Sequence, residues 1–217
     1  MTAAYKSVFD IIGPVMIGPS SSHTAGAAAI GHAARKIFRQ VPRELTVRYY
    51  ESFAETHRGH GTDYALVAGV LGLAPADPQV PNALALAQQQ GLTVHFIEMA
   101  GTSPIEHPNT AILTLRAAQR TVTVAGCSIG GGTIEIRRIT SDGFELTPTG
   151  PLPILLVWGA ADNDQIIQEK LAKMTKIIRR QSYNTATKHL VEFDLERSLK
   201  QHEVASLQQH GADLVYL

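Results

Sequence analysis

The stretch GPSSSHTAGA, residues 18–27, places three hydroxyl side chains and an imidazole between a Gly-Pro turn and a run of small residues. Residues 24–39 favour a helix, because four apolar side chains recur on one face at helical spacing: Ala27, Ile30, Ala34 and Ile37. The first turn of a helix has backbone N–H groups without internal acceptors, and these groups are suited to bind an anion. A carboxylate fits such a position.

A hydroxyl-rich turn before a helix also has a simpler explanation, which is N-terminal capping. One side-chain oxygen is sufficient for a cap, since it accepts a hydrogen bond from the amide of the second or third helical residue. Here four hydroxyls fall within five positions, Ser20, Ser21, Ser22 and Thr24, together with His23. This excess favours binding or catalysis over capping alone, but by itself it specifies no reaction.

Composition and charge exclude several classes of protein. The 217 residues are 44% hydrophobic, which is enough for a sizeable core, and Lys plus Arg equals Asp plus Glu at 19 each. This balance provides no basic surface for nucleic acid and no polybasic membrane patch. No apolar run approaches the length of a membrane span, so we expect a cytoplasmic protein.

Cys127 is the single cysteine. One thiol excludes an internal disulfide and any thiolate-bound metal cluster held by these residues alone, so we predict no metal site within this chain. The thiol itself is expected to be buried and inert.

A strand over Leu45–Tyr50 leads into the loop His57–Asp63, in which glycines flank His60 on both sides. Glycine tolerates positive φ and lets the backbone approach a ligand closely. Thr62 or Asp63 is placed to cap a helix over residues 64–73.

His57 and His60 are three residues apart, which is a spacing that a metal pair also uses. No third ligand is evident, and Gly59 and Gly61 favour a loop over a rigid helix. The sequence therefore favours a histidine that faces a substrate over a metal pair.

His107 and Asn109 flank a proline directly before a strand over residues 111–115. The ring of Pro108 fixes its φ and restricts the residue before it, so the two polar side chains have a definite relation and can share a ligand. A run of three glycines, Gly130–Gly132, follows another strand. It fits no phosphate-binding pattern, so we predict a tight turn there.

Residues 147–151, TPTGP, form a linker candidate, and the pattern changes beyond it. The segments that follow have the order β-α-β-β-α-β, with the first helix predicted over residues 161–178. This order is the ferredoxin-like arrangement. The whole chain is therefore predicted to be α+β, in a sandwich-type arrangement of helices against sheets.

Taken together, five segments resemble the β subunit of the iron–sulfur-dependent L-serine dehydratase. They are residues 7–26, 52–56, 59–63, 107–110 and 128–132. The resemblance runs over residues 5–147. It implies an allosteric-substrate-binding-like serine dehydratase beta domain over residues 1–147 and a divergent ACT-like domain over residues 151–217.

The resemblance also implies an activity, which is the conversion of L-serine to pyruvate and ammonia. In this family a [4Fe-4S] cluster, carried by an α subunit, has one iron that binds the substrate hydroxyl as a Lewis acid while a base removes the α proton. This chain would then need an α-subunit partner. Matching motifs make three histidines candidates for proton transfer: His23, His60 and His107. They make five further residues candidates for substrate binding: Ser20, Ser21, Ser22, Thr62 and Asn109.

The C-terminal segment departs from the ACT pattern. ACT domains that sense amino acids have a glycine-containing turn after the first strand, and residues 158–165, WGAADNDQ, have no glycine at the expected place. We therefore expect residues 151–217 to support self-association and not to bind L-serine.

Two other functions compete with the dehydratase subunit. The first domain is also similar to the serine-sensing domain of some phosphoglycerate dehydrogenases, which would make the chain a non-catalytic regulatory module. A serine hydrolase that uses Ser22 and His23 is disfavoured, because adjacent side chains rarely point at each other and no G-x-S-x-G motif is present.

Overall fold

The computed structural model describes residues 17–150, 152–159, 161–209 and 213–217. The chain forms two compact units, Met1–Pro151 and Leu152–Leu217, which divide at the end of the predicted linker. The part of the dehydratase-like pattern that precedes Ile17 lies outside the described residues. No described helix is both long enough and apolar enough to cross a membrane.

The first unit contains a mixed sheet and a layer of helices. A π-helical turn, Ser21–Ala25, leads directly into the first helix, and a 3₁₀ turn, Val80–Asn82, precedes the fourth. The helices are α1 (Gly26–Phe38), α2 (Glu51–Thr56), α3 (Thr62–Leu71) and α4 (Ala83–Gln89). The strands are β1 (Glu44–Tyr50), β2 (Thr93–Glu98), β3 (Thr110–Ala117), β4 (Arg120–Gly130), β5 (Thr133–Ser141) and β6 (Phe144–Leu146).

The six strands have the order β2-β1-β3-β4-β5-β6. β1 runs parallel to β2, and all other neighbours are antiparallel. The register brings Tyr49 opposite Glu98, Tyr50 opposite Thr110, and Thr110 opposite Cys127. The carboxyl ends of β1, β2 and β4 and the amino end of β3 therefore lie together at one end of the strands.

α1 packs against both α3 and the sheet. The predicted apolar face is confirmed, because Ala27, Ile30, Ala34 and Ile37 are all fully buried. A Cβ added at Gly126 of β4 would lie 3.1 Å from the Ile30 side chain, which shows how closely α1 lies on the strand.

Two glycines allow α1 and α3 to approach each other at backbone distance. A Cβ at Gly31 would lie 2.2 Å from the carbonyl oxygen of Leu66, and a Cβ at Gly69 would lie 2.1 Å from that of Ala28. Both distances are far below van der Waals contact. Any larger residue would force the two helices apart.

Several predicted bounds need correction. α3 begins two residues earlier than predicted, at Thr62, and ends at Leu71 because Gly72 has a φ of 84°. The residues after β1, which carried no helix prediction, form α2. The tight turn at the glycine run is confirmed, since Gly131 and Gly132 connect β4 to β5.

The second unit contains four antiparallel strands in the order β10-β7-β9-β8. Its elements are β7 (Ile154–Trp158), α5 (Ala161–Met174), β8 (Ile177–Asn184), β9 (His189–Leu195), α6 (Gln201–Gln208) and β10 (Asp213–Tyr216). The predicted succession of strands and helices is present. The first helix is shorter than predicted, because Ile177 and Ile178 belong to β8 and not to the helix.

The core of the second unit joins the two helices to one face of its sheet. Buried members include Leu155 and Phe193 from the strands and Leu171 and Leu207 from the helices. Glu192, which precedes Phe193 in β9, is also fully buried. Burial, together with the nearby Asp194 carboxylate, raises the pKa of Glu192 to about 7, and the Tyr183 hydroxyl donates to its Oε2 at 2.7 Å.

Replacing Gly31 with Ala is expected to destabilise the first unit. Alanine is intrinsically better than glycine in a helix by about 1 kcal/mol, but overpacking against a rigid backbone costs roughly 1–3 kcal/mol or more. Because the obstructing atom is a backbone carbonyl, we expect an overpacking cost of about 3 kcal/mol and therefore a net loss of about 2 kcal/mol in the free energy of unfolding, measured by urea denaturation.

Gly59→Ala is the matched control for this substitution. The nearest atom to a Cβ at Gly59 is the carbonyl oxygen of Thr56 at 3.9 Å, so there is space for a methyl group. Stability equal to wild type in Gly31→Ala would contradict the close packing of α1 on α3.

Candidate active site

The hydroxyl-rich turn is organised by Ser20. Its Oγ accepts a hydrogen bond from the backbone N–H of His23 at 3.2 Å, so Ser20 does act as the N-terminal cap. Its backbone carbonyl accepts from the amides of Thr24 and Ala25. The capping explanation is therefore correct for one hydroxyl and does not account for the other three.

Two backbone amides of the turn remain available to a ligand. The amides of Ser21 and Ser22 donate to no acceptor among the described residues, whereas the amides that follow them are bonded within the turn. Ser21 is exposed and Ser22 is partly exposed. This end of the helix therefore presents N–H and O–H donors to solvent, as a carboxylate site requires.

Thr24 connects this turn to the loop that carries His60. Its Oγ1 donates to the carbonyl oxygen of His60 at 3.0 Å and accepts from the amide of Ser20 at 3.3 Å. A Cβ at Gly18 would lie 2.2 Å from the Thr24 side chain, so the chain entering the turn packs tightly on this bridge. Two segments about 36 residues apart in sequence are thereby held together.

His23 is the centre of a small cluster of polar groups. Its Nδ1 lies 2.9 Å from Ser22 Oγ, and its Nε2 lies 3.3 Å from Ser52 Oγ. The ring packs on Phe53 with a centroid distance of 5.2 Å and meets the His60 ring edge-on at 4.8 Å. Burial, and secondly the nearby His60, lower the pKa of His23, so its imidazole is neutral near pH 7.

His60 occupies the exposed side of this pair of rings. Gly61, the next residue, has a φ of 68°, which confirms the expected positive-φ glycine in the loop. The amide of His60 donates to the Thr56 carbonyl at 3.1 Å. Its ring nitrogens have no hydrogen-bond partner within the described segments, so they are open to a ligand.

His57 does not face a substrate. Its ring is buried, with Nδ1 2.6 Å from Asp63 Oδ1 and Nε2 2.9 Å from Glu98 Oε1. The predicted cap of α3 by Thr62 or Asp63 is wrong, since Gly61 is the capping residue and makes no side-chain hydrogen bond. The Asp63 carboxylate is instead occupied by His57 and by the Tyr49 hydroxyl.

Thr62 is fully buried behind the loop, and its Oγ1 has no hydrogen-bond partner among the described residues. Ser128 on β4 has the same two properties. A Cβ at Gly26 would lie 2.2 Å from Ser128 Oγ, so this hydroxyl lies against the start of α1.

His107 and Asn109 have the definite relation expected from the proline between them. The backbone N–H of Asn109 donates to Nδ1 of His107 at 3.1 Å. Nδ1 is thus an acceptor, so a neutral His107 carries its proton on Nε2. Burial, and secondly the positive charge of Arg137, lower the pKa of His107, which favours that neutral form.

The His107–Asn109 loop is fixed to the rest of the site by one backbone hydrogen bond and one side-chain hydrogen bond. The Phe53 amide donates to the Pro108 carbonyl at 3.3 Å, and Asn109 Nδ2 donates to the Ser128 carbonyl at 3.4 Å. The structure therefore places α2, whose Ser52 contacts His23, between the hydroxyl turn and this loop. Sequence reasoning did not select Ser52 or Phe53 as site residues, although both belong to segment 52–56, one of the five that resemble the family.

The residues present do not fit an iron–sulfur cluster. Burial raises the pKa of the Cys127 thiol to about 11, whereas a cluster ligand must be a thiolate. The described parts of the chain contain no group of three or more His, Cys, Asp or Glu side chains arranged to hold a metal ion.

Comparison with known proteins gives consistent results. The sequence profile of a family described as "Serine dehydratase beta chain" matches residues 7–138. A Bacillus subtilis protein named "Probable L-serine dehydratase, beta chain" is 48% identical over 153 residues, which cover 70% of this chain and 68% of that protein.

Two further relatives extend the comparison. The "L-serine dehydratase, beta chain" of Peptoniphilus asaccharolyticus is 39% identical over 140 residues, covering 64% of this chain and 63% of its own length. The Escherichia coli protein named "L-serine dehydratase 2" is 32% identical over 108 residues, but these cover only 23% of that protein. The chain thus spans about two thirds of the beta chains and about a quarter of the longer relative.

Proposed function

The chain belongs to the serine dehydratase beta chain family, and from that premise we propose that it is the beta subunit of an L-serine dehydratase. With an alpha subunit it would deaminate L-serine to pyruvate and ammonia. One structural observation supports the proposal most directly. The donor-rich turn at Ser20–Ser22 lies beside the His23–His60 pair. The names of the relatives disfavour a purely sensory module.

The turn is assigned to the substrate carboxylate. The unbonded amides of Ser21 and Ser22 and the exposed hydroxyl of Ser21 are donors at a helix entrance, which favours an anion. The hydroxyl of Ser20 is already committed to capping, so its role is to hold the turn in shape. A carboxylate bound here leaves the α carbon of L-serine on the side of the two histidine rings.

His60 is assigned as the base that takes the α proton. Its ring is exposed, has no hydrogen-bond partner among the described residues, and is held against neutral His23. Because His23 is uncharged, it does not repel the positive charge that His60 gains when it accepts the α proton. His23 itself is engaged at both nitrogens by serine hydroxyls and is better suited to support.

His107 and Asn109 are assigned to hold polar groups of the substrate. Because Nδ1 of His107 accepts from the chain, its Nε2–H is a donor and cannot act as a base in the neutral form. Thr62 is buried, so we assign it to the packing of the loop that carries His60 and not to direct contact with the substrate.

The family suggests an iron–sulfur cluster in the assembled enzyme. The 217 residues contain one cysteine, whereas a conventional cluster site needs three or four. We assign the [4Fe-4S] cluster to the alpha subunit, and the binding turn and histidines of this chain to the complementary half of the active site.

The second unit is proposed to be a divergent ACT-like domain that serves self-association, and the first unit an allosteric-substrate-binding-like domain. The strand order β10-β7-β9-β8 with two helices supports a ferredoxin-like assignment. β8 is an edge strand whose Ile178 is 63% exposed. An apolar residue on an unpaired edge favours pairing with another chain.

The central test is co-expression with a cysteine-rich alpha subunit, followed by an anaerobic assay for pyruvate from L-serine. We expect activity only in the co-purified complex, with the isolated chain colourless and inactive because one thiol cannot hold a cluster. A brown, iron-containing and active preparation of this chain alone would overturn the assignment as a subunit.

Substitution of the histidines separates their roles in the assembled enzyme. We expect His60→Ala to lower kcat by about 10²-fold, as for loss of a general base. His107→Ala should mainly raise KM, by roughly 10-fold, since it removes a hydrogen-bond donor to the substrate. His95→Ala, on the exposed edge strand β2, is the matched control and should behave as wild type. Wild-type kcat in His60→Ala would remove that residue from the chemistry.

Truncation after Thr149 tests the role of the second unit. We expect the shortened chain to self-associate more weakly in analytical ultracentrifugation, because the β8 edge is absent. Binding of L-serine by residues 1–149, followed by calorimetry, should persist. The proposal is wrong if L-serine binds only to the part of the chain that the truncation removes.

A further inference from the structure

His57 is held between two carboxylates although it lies outside the proposed catalytic groups. Its side chain is almost completely buried, with 3% of the residue exposed. Its two ring nitrogens point at Asp63 Oδ1 and Glu98 Oε1, at 2.6 and 2.9 Å. An ionised carboxylate only accepts hydrogen bonds, so both nitrogens must donate, and only the imidazolium form has two N–H groups.

Tyr49 completes this arrangement from β1. Its ring stacks on His57 with a centroid distance of 4.6 Å and an interplanar angle of 27°, and its hydroxyl donates to Asp63 Oδ1 at 2.9 Å. Burial, and secondly the Asp63 charge, raise the pKa of Tyr49, so the phenol keeps the proton that it donates. Arg58 pairs with Glu98 at 3.0 Å on the exposed side.

The contacts of His57 and Asp63 join the two ends of the loop of residues 58–62. His57 and Asp63 stand at the two ends of this loop, and the Thr62 amide also donates to the His57 carbonyl at 3.0 Å. The other partners belong to β1 and to the end of β2, which are fixed parts of the sheet. The loop is therefore closed at its base and anchored to the sheet, with His60 at its outer side.

We propose that His57 is a positioning residue that, as a doubly protonated ring clamped between Asp63 and Glu98, holds the 58–62 loop so that the His60 ring lies against His23. The proposal rests on the proposed function only where turnover is concerned. Without the clamp the backbone of His60 keeps its bonds to Thr24 and Thr56, but the base of the loop is loosened, so the His60 ring is no longer fixed against His23.

The first experiment uses the full chain without any partner. His57→Gln keeps a polar side chain but cannot donate to both carboxylates in the same geometry. NMR titration should show the pKa of His23 rising towards its ordinary value, because His60 no longer lies beside it, and burial alone then remains to lower it. In a His60→Ala background the same substitution should leave the His23 pKa unchanged. The ¹⁵N shifts of wild-type His57 should report two protonated nitrogens.

The matched control is Asp142→Asn. Asp142 accepts from Arg120 at 2.8 Å in a comparable ion-pair cluster at the end of β5, far along the sheet from the loop. The Asp142→Asn substitution should leave the pKa of His23 at its wild-type value. Where His57→Gln does not fold, Asp63→Asn replaces it, because it removes one of the two charges while keeping the shape of the side chain.

The second experiment uses the assembled enzyme with the alpha subunit. We expect His57→Gln to lower kcat by about 10-fold or more with KM within about twofold, since a catalytic group is misplaced while binding is kept. In the His60→Ala background, His57→Gln should change kcat by less than about twofold, because the two residues act through one group.

The outcomes separate the two proposals. An unchanged His23 pKa in His57→Gln, a neutral wild-type His57 ring, or an equal loss of kcat in both backgrounds would overturn the positioning role. Absence of any pyruvate from the wild-type complex would overturn the proposed function instead, and the titration of the full chain would still test the clamp.

Discussion

The close crossing of α1 and α3 is the constraint on which the candidate site depends. Gly31 and Gly69 let the two helices touch at backbone distance, and the hydrogen bond from Thr24 to the His60 carbonyl shows that their amino ends emerge on the same side. The hydroxyl turn precedes one helix and the glycine-bounded loop precedes the other. A wider crossing would separate the donors of Ser21 and Ser22 from the ring of His60.

The sheet supplies the second constraint, through its register. β1 and β2 end where β3 begins. This register brings α2, Glu98 and the His107–Asn109 loop together at the same end of the strands. The Phe53 amide then bonds the Pro108 carbonyl, and Ser52 reaches His23. The hydroxyl turn, α2 with the loop after it, the end of β2 and the His107–Asn109 loop thus converge, and hydrogen bonds join them.

Electrostatics divide the histidines of this region into two kinds. His23 and His107 lie in partly buried positions where desolvation lowers the pKa, so both are neutral near pH 7 and can direct hydrogen bonds. His57 is buried with both ring nitrogens within hydrogen-bond distance of carboxylates, which suits a structural task. Identical side chains in one region of the fold therefore serve different purposes, because the groups around each ring decide what it can bind.

The sequence by itself determined the local features of this protein. The hydroxyl excess at residues 20–24, the helical face of α1, the glycines around His60 and the order of elements after residue 151 follow from spacing and from conformational preference, which act over a few residues. The family followed from the same motifs. These signals could not assign partners across the chain: Asp63 looked like a helix cap, the role of His57 stayed open beside that of His60, and Ser52 stood out only as part of a motif shared with the family. Only the tertiary structure decided those roles, because a side chain takes the best partner that folding brings within reach, and the strand register and the helix crossing set which partners those are.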